Sequence, residues 1–179
     1  MKELVLNEEH LDKVLARMYK TVRHRLFIAT ADVKDVHFPP KTLGYLGRGK
    51  AVSVVEVFGM LVKKGIEIRL LHSGVPSGPF LHRIRQGVPK GLIMRRCPRV
   101  HTKAVIVDGR WMYIGSANLT GAGLGAKSTK RRNFEVGICT EDATMVDAVV
   151  DNLHSIFSGR QCLTCDRKKH CPIPLEEPE

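Results

Sequence analysis

The first part of the chain separates into amphipathic and purely apolar stretches. Apolar residues recur at three- and four-residue spacing from residue 7 to residue 23, which predicts an amphipathic helix. RLFIAT, residues 25–30, has the length of a buried strand. Residues 51–64 have the pattern of a second helix, which Gly65 would end because glycine readily takes the left-handed conformation beyond a helix terminus. IEIRLL, residues 66–71, follows as a second strand.

Proline and glycine mark the breaks between the elements that follow. They are concentrated in residues 35–50 and 72–79, which we interpret as loops. FLHRIRQG, residues 80–87, predicts a short basic helix, and LIMRR, residues 92–96, predicts a further strand.

A hairpin and a final strand and helix complete the pattern. The apolar runs on either side of Asp108 and Gly109 predict two strands joined by a tight turn, because this dipeptide supplies the positive φ angles of such turns. Residues 133–140 predict a strand, and residues 140–158 predict a helix with Thr140 as its N-cap and acidic residues in its first turn. The alternation of helices and strands predicts an α/β sandwich with a mixed sheet.

Length and charge narrow the classes of partner. The 179 residues suit one domain, and we expect it to cover residues 1–159, with a cysteine-rich tail over residues 160–179. The 29 Lys and Arg exceed the 18 Asp and Glu, for a formal net charge of +11. Such a surplus attracts polyanions, either nucleic acid or anionic lipid headgroups; a basic surface that serves solubility alone is the alternative.

Membrane-spanning patterns are missing from the sequence. No window reaches the ~18 uninterrupted apolar residues of a membrane helix, and the amino terminus lacks the apolar core of a signal peptide. We therefore expect a cytoplasmic protein, in which the five cysteines are metal ligands or reduced thiols rather than a disulfide framework.

Residues 101–118, HTKAVIVDGRWMYIGSAN, carry the strongest chemical pattern. His101 and Lys103 are two apart at the start of a strand, so their side chains face the same way. A phosphodiester anion repels nucleophiles, and its non-bridging oxygens need positive charge and hydrogen-bond donors, which Lys103 and Asn118 can supply. The neutral imidazole of His101 can attack phosphorus and hold the phosphoryl group covalently.

The spacing within this segment resembles the signature of the phospholipase D superfamily, which is His-x-Lys, four residues, Asp, six residues and Gly-Ser-x-Asn. NFEVGI downstream is similar to the Asn-x-Glu segment of that family. The resemblance implies a phospholipase D-like fold and a phosphodiesterase that needs no cofactor for catalysis. The nuclease-like, single-motif branch fits best, because the duplicated motif and the lipid-binding insertions of the larger lipid enzymes are missing. The matching residues are His101, Lys103, Asp108, Gly115, Ser116 and Asn118, followed by Asn133 and Glu135.

Three of the matching residues have roles that the resemblance alone suggests. Ser116 would contact phosphate or position the catalytic groups, although it could equally be a turn hydroxyl. Glu135 would hydrogen-bond the unreactive nitrogen of His101 and so fix its tautomer. Asp108 belongs to the motif, but its place before Gly109 favours a structural role in capping the backbone.

The motif occurs once, whereas the chemistry needs a second imidazole that protonates the leaving oxygen and then activates water. A two-fold homodimer would bring the two copies of His101 together at its interface, one as nucleophile and one as acid. The resemblance implies the same arrangement, since single-motif members of the family are known for it.

Three basic clusters surround the motif in sequence, and the two that lie just before and just after it predict the walls of a binding groove; a solvated basic face is the alternative for each. Arginine suits phosphate oxygens, and clustered cations gain by releasing counterions from nucleic acid. Aromatic residues, at 6%, favour contacts with the nucleic-acid backbone over reading of the bases. Endonucleolytic cleavage of DNA or RNA with low sequence specificity is therefore the favoured function. A cardiolipin-type phospholipid phosphodiesterase or phosphatidyltransferase, and a non-catalytic nucleic-acid-binding module, are the alternatives. The clusters comprise Arg83 and Arg85; Arg95, Arg96 and Arg99; and Lys130, Arg131 and Arg132.

The tail segment CLTCDRKKHC predicts a structural metal site. Two thiolates at Cys-x2-Cys spacing can bind one ion from a single turn, and zinc is the favoured ion. An iron–sulfur cluster is the alternative, because the triplet resembles the carboxy-terminal cysteines of RecB-family nucleases. Free thiols remain a third interpretation. The candidate ligands are Cys162, Cys165, His170 and Cys171, with Cys97 or Cys139 as the distant fourth cysteine of a cluster.

Overall fold

The fold is taken from a computed structural model that describes residues 2–40, 42–43, 50–87 and 91–171, without the side chain of His170. Part of the predicted loop at residues 35–50 therefore lies outside the described residues. No helix of the described part of the chain is long and apolar enough to cross a membrane.

A seven-stranded mixed sheet forms the centre of the molecule. Along the chain the strands are β1 (Lys2–Leu6), β2 (Arg25–Thr30), β3 (His37–Phe38), β4 (Val52–Ser53), β5 (Glu67–His72), β6 (Leu92–Arg96), β7 (Ala104–Val107), β8 (Trp111–Gly115) and β9 (Val136–Thr140). The large sheet has the order β1-β9-β8-β7-β2-β5-β6, and β3 pairs with β4 separately. Strands β2, β5 and β6 are parallel, and the other neighbours in the large sheet are antiparallel.

Helices cover both faces of this sheet. A π-helical segment, Leu11–Ala16, continues as α1 (Arg17–Thr21), and these pack with α2 (Val54–Lys63) and α3 (Gly78–Gly87) on one face. Helix α4 (Ala143–Phe157) packs on the other face, where Val146, Leu153 and Phe157 meet Phe27 and Met112. The layers confirm the predicted α/β sandwich with a mixed sheet.

Most predicted elements are confirmed, and several of the differences lie at their ends. Strand β3 falls within the predicted loop at residues 35–50. Helix α2 begins after residues 52–53, because these pair with β3, and Ser53 caps the helix by accepting from Val55 N at 3.1 Å. Thr140 is not the N-cap of the last helix. It ends β9, and Asp142 caps the helix by accepting from Met145 N at 3.2 Å, with no acidic residue in the first turn.

Two further differences concern the amino-terminal strand and the last strand. Strand β1 was not predicted, and it pairs antiparallel with β9 through Leu4↔Ile138 and Leu6↔Val136. The predicted strand at residues 133–140 is regular only from Val136 onward.

The strand directions bring several chain ends to one edge of the large sheet. Strands β2, β5, β6 and β8 end there, and β7 and β9 begin there. We call this the motif edge. The hairpin turn between β7 and β8, where Asp108 and Gly109 have φ angles of 52° and 64°, lies at the opposite edge.

Candidate active site

His101 and Lys103 are in contact at the motif edge, immediately before β7. The imidazole is exposed, whereas the Lys103 side chain is buried, with 8% of the residue accessible. Lys103 Nζ lies 3.2 Å from both His101 Nδ1 and Nε2 and donates to the His101 carbonyl oxygen at 2.8 Å. The ammonium group and the imidazole ring are therefore direct neighbours.

Two features of its surroundings shift the pKa of Lys103 in opposite directions. Burial lowers the pKa of Lys103 below its ordinary value, and the negative charge of Glu135 opposes that shift. An ammonium group held in a site with little water interacts strongly with a bound anion. The pair therefore places one cation and one exposed imidazole ring beside each other.

Glu135 lies just before β9 and joins two other motif residues. Its Oε2 accepts a short hydrogen bond from Ser116 Oγ, and its Oε1 accepts from Asn133 Nδ2 at 3.0 Å. Ser116 Oγ also accepts from Val136 N at 3.0 Å. The expected hydrogen bond from Glu135 to His101 is not formed, because Ser116 and Asn133 engage its two oxygens and the His101 ring faces Lys103.

Asn118 follows β8 and is fixed by the backbone after β2. Its Oδ1 accepts from Ala31 N and from Asp32 N, each at 3.1 Å. Since the oxygen is taken, the Nδ2 group is what Asn118 can offer to a ligand, and it is a donor. This is the type of group that a phosphoryl oxygen needs.

A buried pair behind the motif, His10 and Tyr113, was not predicted. His10 is fully buried, with Nδ1 at 2.7 Å from Asn7 O and Nε2 at 2.9 Å from Tyr113 Oη. Tyr113 Oη accepts from Ala117 N at 3.3 Å, so the pair holds the turn between the motif's Ser and Asn. Asn7 Oδ1 accepts from Glu135 N at 3.1 Å. The sequence contained little to indicate this pair, because His10, Tyr113 and Asn7 are not among the matching motif residues.

The motif glycine makes room for this tyrosine. A Cβ atom on Gly115 would lie 2.3 Å from Tyr113 Oη and 2.6 Å from Gly137 Cα. A Cβ atom on Gly137, which pairs with Gly115 across β8 and β9, would lie 2.2 Å from the Tyr113 ring. Both positions therefore need glycine for steric reasons.

Asp108 is far from the other motif residues, at the opposite edge of the sheet. Its Oδ1 accepts from His24 N and Arg25 N, both at 2.8 Å, and its Oδ2 accepts from Arg23 N at 2.9 Å. Burial acts to raise the pKa of Asp108, but these amide hydrogen bonds outweigh it and leave the pKa lowered. The carboxylate fixes the start of β2, and this contact favours the structural role of Asp108 over a catalytic one.

The predicted substrate-binding cations divide into two groups. Arg83 and Arg95 are used within the fold: Arg83 pairs with Asp35 at 2.8 Å, and Arg95 donates to Phe157 O at 2.8 Å. The second group lies at or near the motif edge, and three of its members also have partners within the fold. Arg96, which ends β6, donates to Ser73 O at 2.8 Å, Arg99 donates to Cys165 Sγ at 3.2 Å, and Arg132 pairs with Glu8 at 3.6 Å. Lys130 and Arg131, before β9, are exposed. Arg85 is exposed on α3.

The cysteines of the predicted metal site are also divided. Cys97, Cys162 and Cys165 line one pocket, whereas Cys139 is buried in β9 with Sγ 4.0 Å from Lys13 O. Burial raises the pKa of the Cys139 thiol to about 11. Among the described residues, no three Cys, His, Asp or Glu side chains are already grouped to hold a metal ion. The side chain of His170 lies outside the described part.

A family model matches the part of the chain that carries these residues. Residues 43–158 match the model described as "Cardiolipin synthase, PLD-like domain". This is more than half of the chain, and the protein therefore belongs to the phospholipase D-like family, a superfamily of phosphodiesterases. A comparison with curated protein sequences gives no match.

Solved structures share the fold at low sequence identity. NucT from Helicobacter pylori has a TM-score of 0.61 and 13% identity, over 87% of this chain and 94% of that one. Nuc from Salmonella typhimurium, a phospholipase D family member, has a TM-score of 0.59 and 12% identity, over 87% and 92%. TrmBL2, an archaeal chromatin protein with a novel mode of DNA binding, has a TM-score of 0.52 and 12% identity, over 87% and 51%. At these identities the similarity concerns the fold.

Proposed function

We propose that the protein hydrolyses phosphodiester bonds of nucleic acid through a covalent phosphohistidine at His101, without a catalytic metal. The observation that carries this proposal is the contact between the exposed His101 ring and the buried Lys103 ammonium, at 3.2 Å. Asn118 adds a donor that is oriented from the far side by two backbone amides. Together they provide a nucleophile and two groups for non-bridging oxygens.

The reaction has two displacements at phosphorus. A ring nitrogen of His101 forms a bond to phosphorus as the bond to the leaving oxygen breaks, and a second imidazole donates its proton to that oxygen. The same imidazole then takes a proton from water, whose oxygen displaces His101. The products are a phosphate monoester and a free hydroxyl, and the enzyme returns to its starting state.

Nucleic acid is the substrate class that the charge favours. The net charge is +11, and exposed or partly exposed cations follow β6 and precede β9 at the motif edge. Cations spaced along a groove suit a repeating phosphate backbone. The fold likeness to TrmBL2, an archaeal chromatin protein with a novel mode of DNA binding, is compatible with that choice. The description of the matching family model as cardiolipin synthase keeps an anionic phospholipid as the second candidate.

The second imidazole would come from a second copy of the chain. Helix α4 covers the middle strands on its face, and within the described part of the chain the β1 and β9 end is left exposed. We propose that this bare apolar strip is the two-fold interface, because it continues the core beneath α4 and adjoins Glu135. Its members and exposed fractions are Leu4 57%, Leu6 43%, Phe134 95%, Val136 51% and Ile138 40%.

Cleavage assays in EDTA test the function. The native protein is expected to cut labelled single-stranded or duplex DNA or RNA, and His101→Ala to lose that activity by a factor of about 10³ or more. His82→Ala, an exposed histidine on α3, is the matched control and should cut like the native protein. Equal cleavage by His101→Ala would refute the proposal. Turnover of cardiolipin vesicles without cleavage of any nucleic acid would instead identify a lipid enzyme.

A further inference from the structure

The carboxy-terminal tail folds back onto the segment that leads into His101. Cys97 follows β6, and Cys162 and Cys165 lie in the turns after α4. All three line one pocket of about 220 Å³, together with Arg99 and Val100. The fold thus brings Cys97 into the same pocket as Cys162 and Cys165, which follow it by 65 and 68 positions in the sequence.

Hydrogen bonds hold the segments that carry these thiols. Cys97 N donates to His72 O at 2.8 Å, and Val100 N donates to Cys97 O at 3.0 Å. On the other side, Arg99 Nη1 donates to Cys165 Sγ at 3.2 Å. Hydrogen bonds from the protein to a ligating thiolate are a common feature of metal sites. All cysteines of the chain are free of disulfide bonds.

We propose that Cys97, Cys162 and Cys165 bind one zinc ion and that the ion fastens the tail to the segment preceding His101. Cys171, six residues after Cys165 in the same tail, would supply the fourth thiolate. Zinc prefers four thiolates or imidazoles in a tetrahedron. The thiols are not yet grouped closely enough to hold an ion. They converge when the ion binds, because metal binding and local folding are coupled in small cysteine sites.

The ligands of this proposed site differ from the ligands that the tail sequence alone predicts. Cys97 enters it, and Cys139 is excluded because it lines a different pocket with Glu3 and Arg17. Because Cys97 is four residues before His101, the ion would stabilise the approach to the nucleophile without taking part in the chemistry. The inference does not rest on the proposed function.

Metal analysis of the full chain tests the inference without any substrate. The native protein and Cys139→Ser are expected to hold about one zinc ion per chain, and Cys97→Ser and Cys162→Ser to lose it. Cobalt substitution should give thiolate-to-cobalt absorption in the first two proteins and not in the others. Native protein without zinc, zinc retained by Cys97→Ser, or iron in place of zinc would each overturn it.

A measurement on the native protein guards against variants that fail to fold. Alkylation followed by mass spectrometry, with and without added zinc, should show that zinc protects Cys97, Cys162 and Cys165. Cys139 should react equally slowly in both samples, because it is buried in β9. Equal labelling of Cys97 with and without zinc would contradict the proposal.

Discussion

Lys103 is the residue whose surroundings most directly shape the chemistry at the motif edge. It is a buried cation, and its ammonium group contacts His101 through both the ring and the carbonyl oxygen. Its positive charge would meet the phosphoryl oxygens as negative charge develops on them.

Replacing this cation should therefore slow the reaction more than it weakens binding. We expect Lys103→Met to lower kcat by a factor of about 10² to 10³, with a smaller change in KM. Lys103→Arg should recover little of the lost kcat, because a planar guanidinium group does not fit the buried position of the ammonium group. Steady-state kinetics on a labelled oligonucleotide would measure both constants, and an unchanged kcat for Lys103→Met would contradict the assigned role.

Asp108 should show the opposite behaviour. It accepts three backbone hydrogen bonds at the start of β2, away from the motif edge. Asp108→Ala is expected to lower the free energy of unfolding by about 1–3 kcal/mol, because three amides lose their acceptor. Urea titration measures this loss, and cleavage per folded molecule should stay near the native rate. A catalytic defect in fully folded Asp108→Ala would return the residue to the reaction.

The buried histidines predict how stability depends on pH. Burial lowers the folded-state pKa of both His10 and His72 below 6.5, so the unfolded chain binds their protons first as the pH falls. Their stabilising contribution is complete above about 6.5 and is lost progressively below it. Urea unfolding between pH 5 and 8 should show this decline, with a shallower slope in His10→Gln. Identical slopes in the two proteins would mean that His10 does not titrate in this way.

At the scale of elements, strands β1 and β9 connect the site to the proposed interface. Val136 N donates to Ser116 Oγ, while the Val136 side chain lies on the bare apolar strip. A contact on the strip therefore lies next to the hydrogen bonds that hold Glu135. In the proposed dimer, this arrangement would link assembly to cleavage through a few residues.

A charge placed on the strip should separate the two copies. Val136→Glu is expected to convert a dimer into a monomer and to reduce cleavage at the same protein concentration, because a buried unpaired carboxylate is unfavourable at an interface. Ile93→Glu is the matched control, since Ile93 is 44% exposed on β6 at the other end of the sheet. Light scattering after size exclusion measures the mass. A native monomer with full activity, or a dimeric Val136→Glu, would contradict the interface.

Local sequence patterns predicted most accurately those elements that have a continuous apolar run or clear boundaries. The strands at residues 25–30 and 92–96 agree at both ends, and the hairpin around Asp108 and Gly109 agrees in its turn. Strand β1 was missed because only Val5 of its five residues is buried, so it carries little apolar pattern. The predicted cap of the last helix, Thr140, lies two residues before the observed cap, Asp142, because local pattern could not separate the end of β9 from the start of the helix.

The site could be predicted only as far as the motif reaches. Spacing identified His101 and Asn118, but not that Asn118 depends on backbone after β2. His10 and Tyr113 are 103 positions apart, and their hydrogen bond exists because β1 pairs with β9 beside β8. Such contacts are set by sheet order, which no local pattern contains.

At the scale of the whole molecule, the proposed catalytic residues and the structural Asp108 turn lie at opposite edges of the sheet. The motif edge gathers the proposed nucleophile His101, the buried cation Lys103 and several arginines and lysines, whereas the opposite edge holds the Asp108 turn. A chain with a charge of +11 is drawn to polyanions over distances of about 10 Å at moderate salt. Binding should therefore weaken steeply as salt rises, as it does when phosphates are neutralised by many cations.

The central claim is the covalent intermediate on His101. The most direct measurement mixes the protein with an end-labelled oligonucleotide in EDTA, stops the reaction within a single turnover in alkali, and separates the products under denaturing conditions. The account predicts a protein–oligonucleotide adduct that survives alkali, is released by acid as a phosphorus–nitrogen bond should be, and maps to His101 by mass spectrometry. Turnover without such an adduct, or an adduct that persists in His101→Ala, would contradict it.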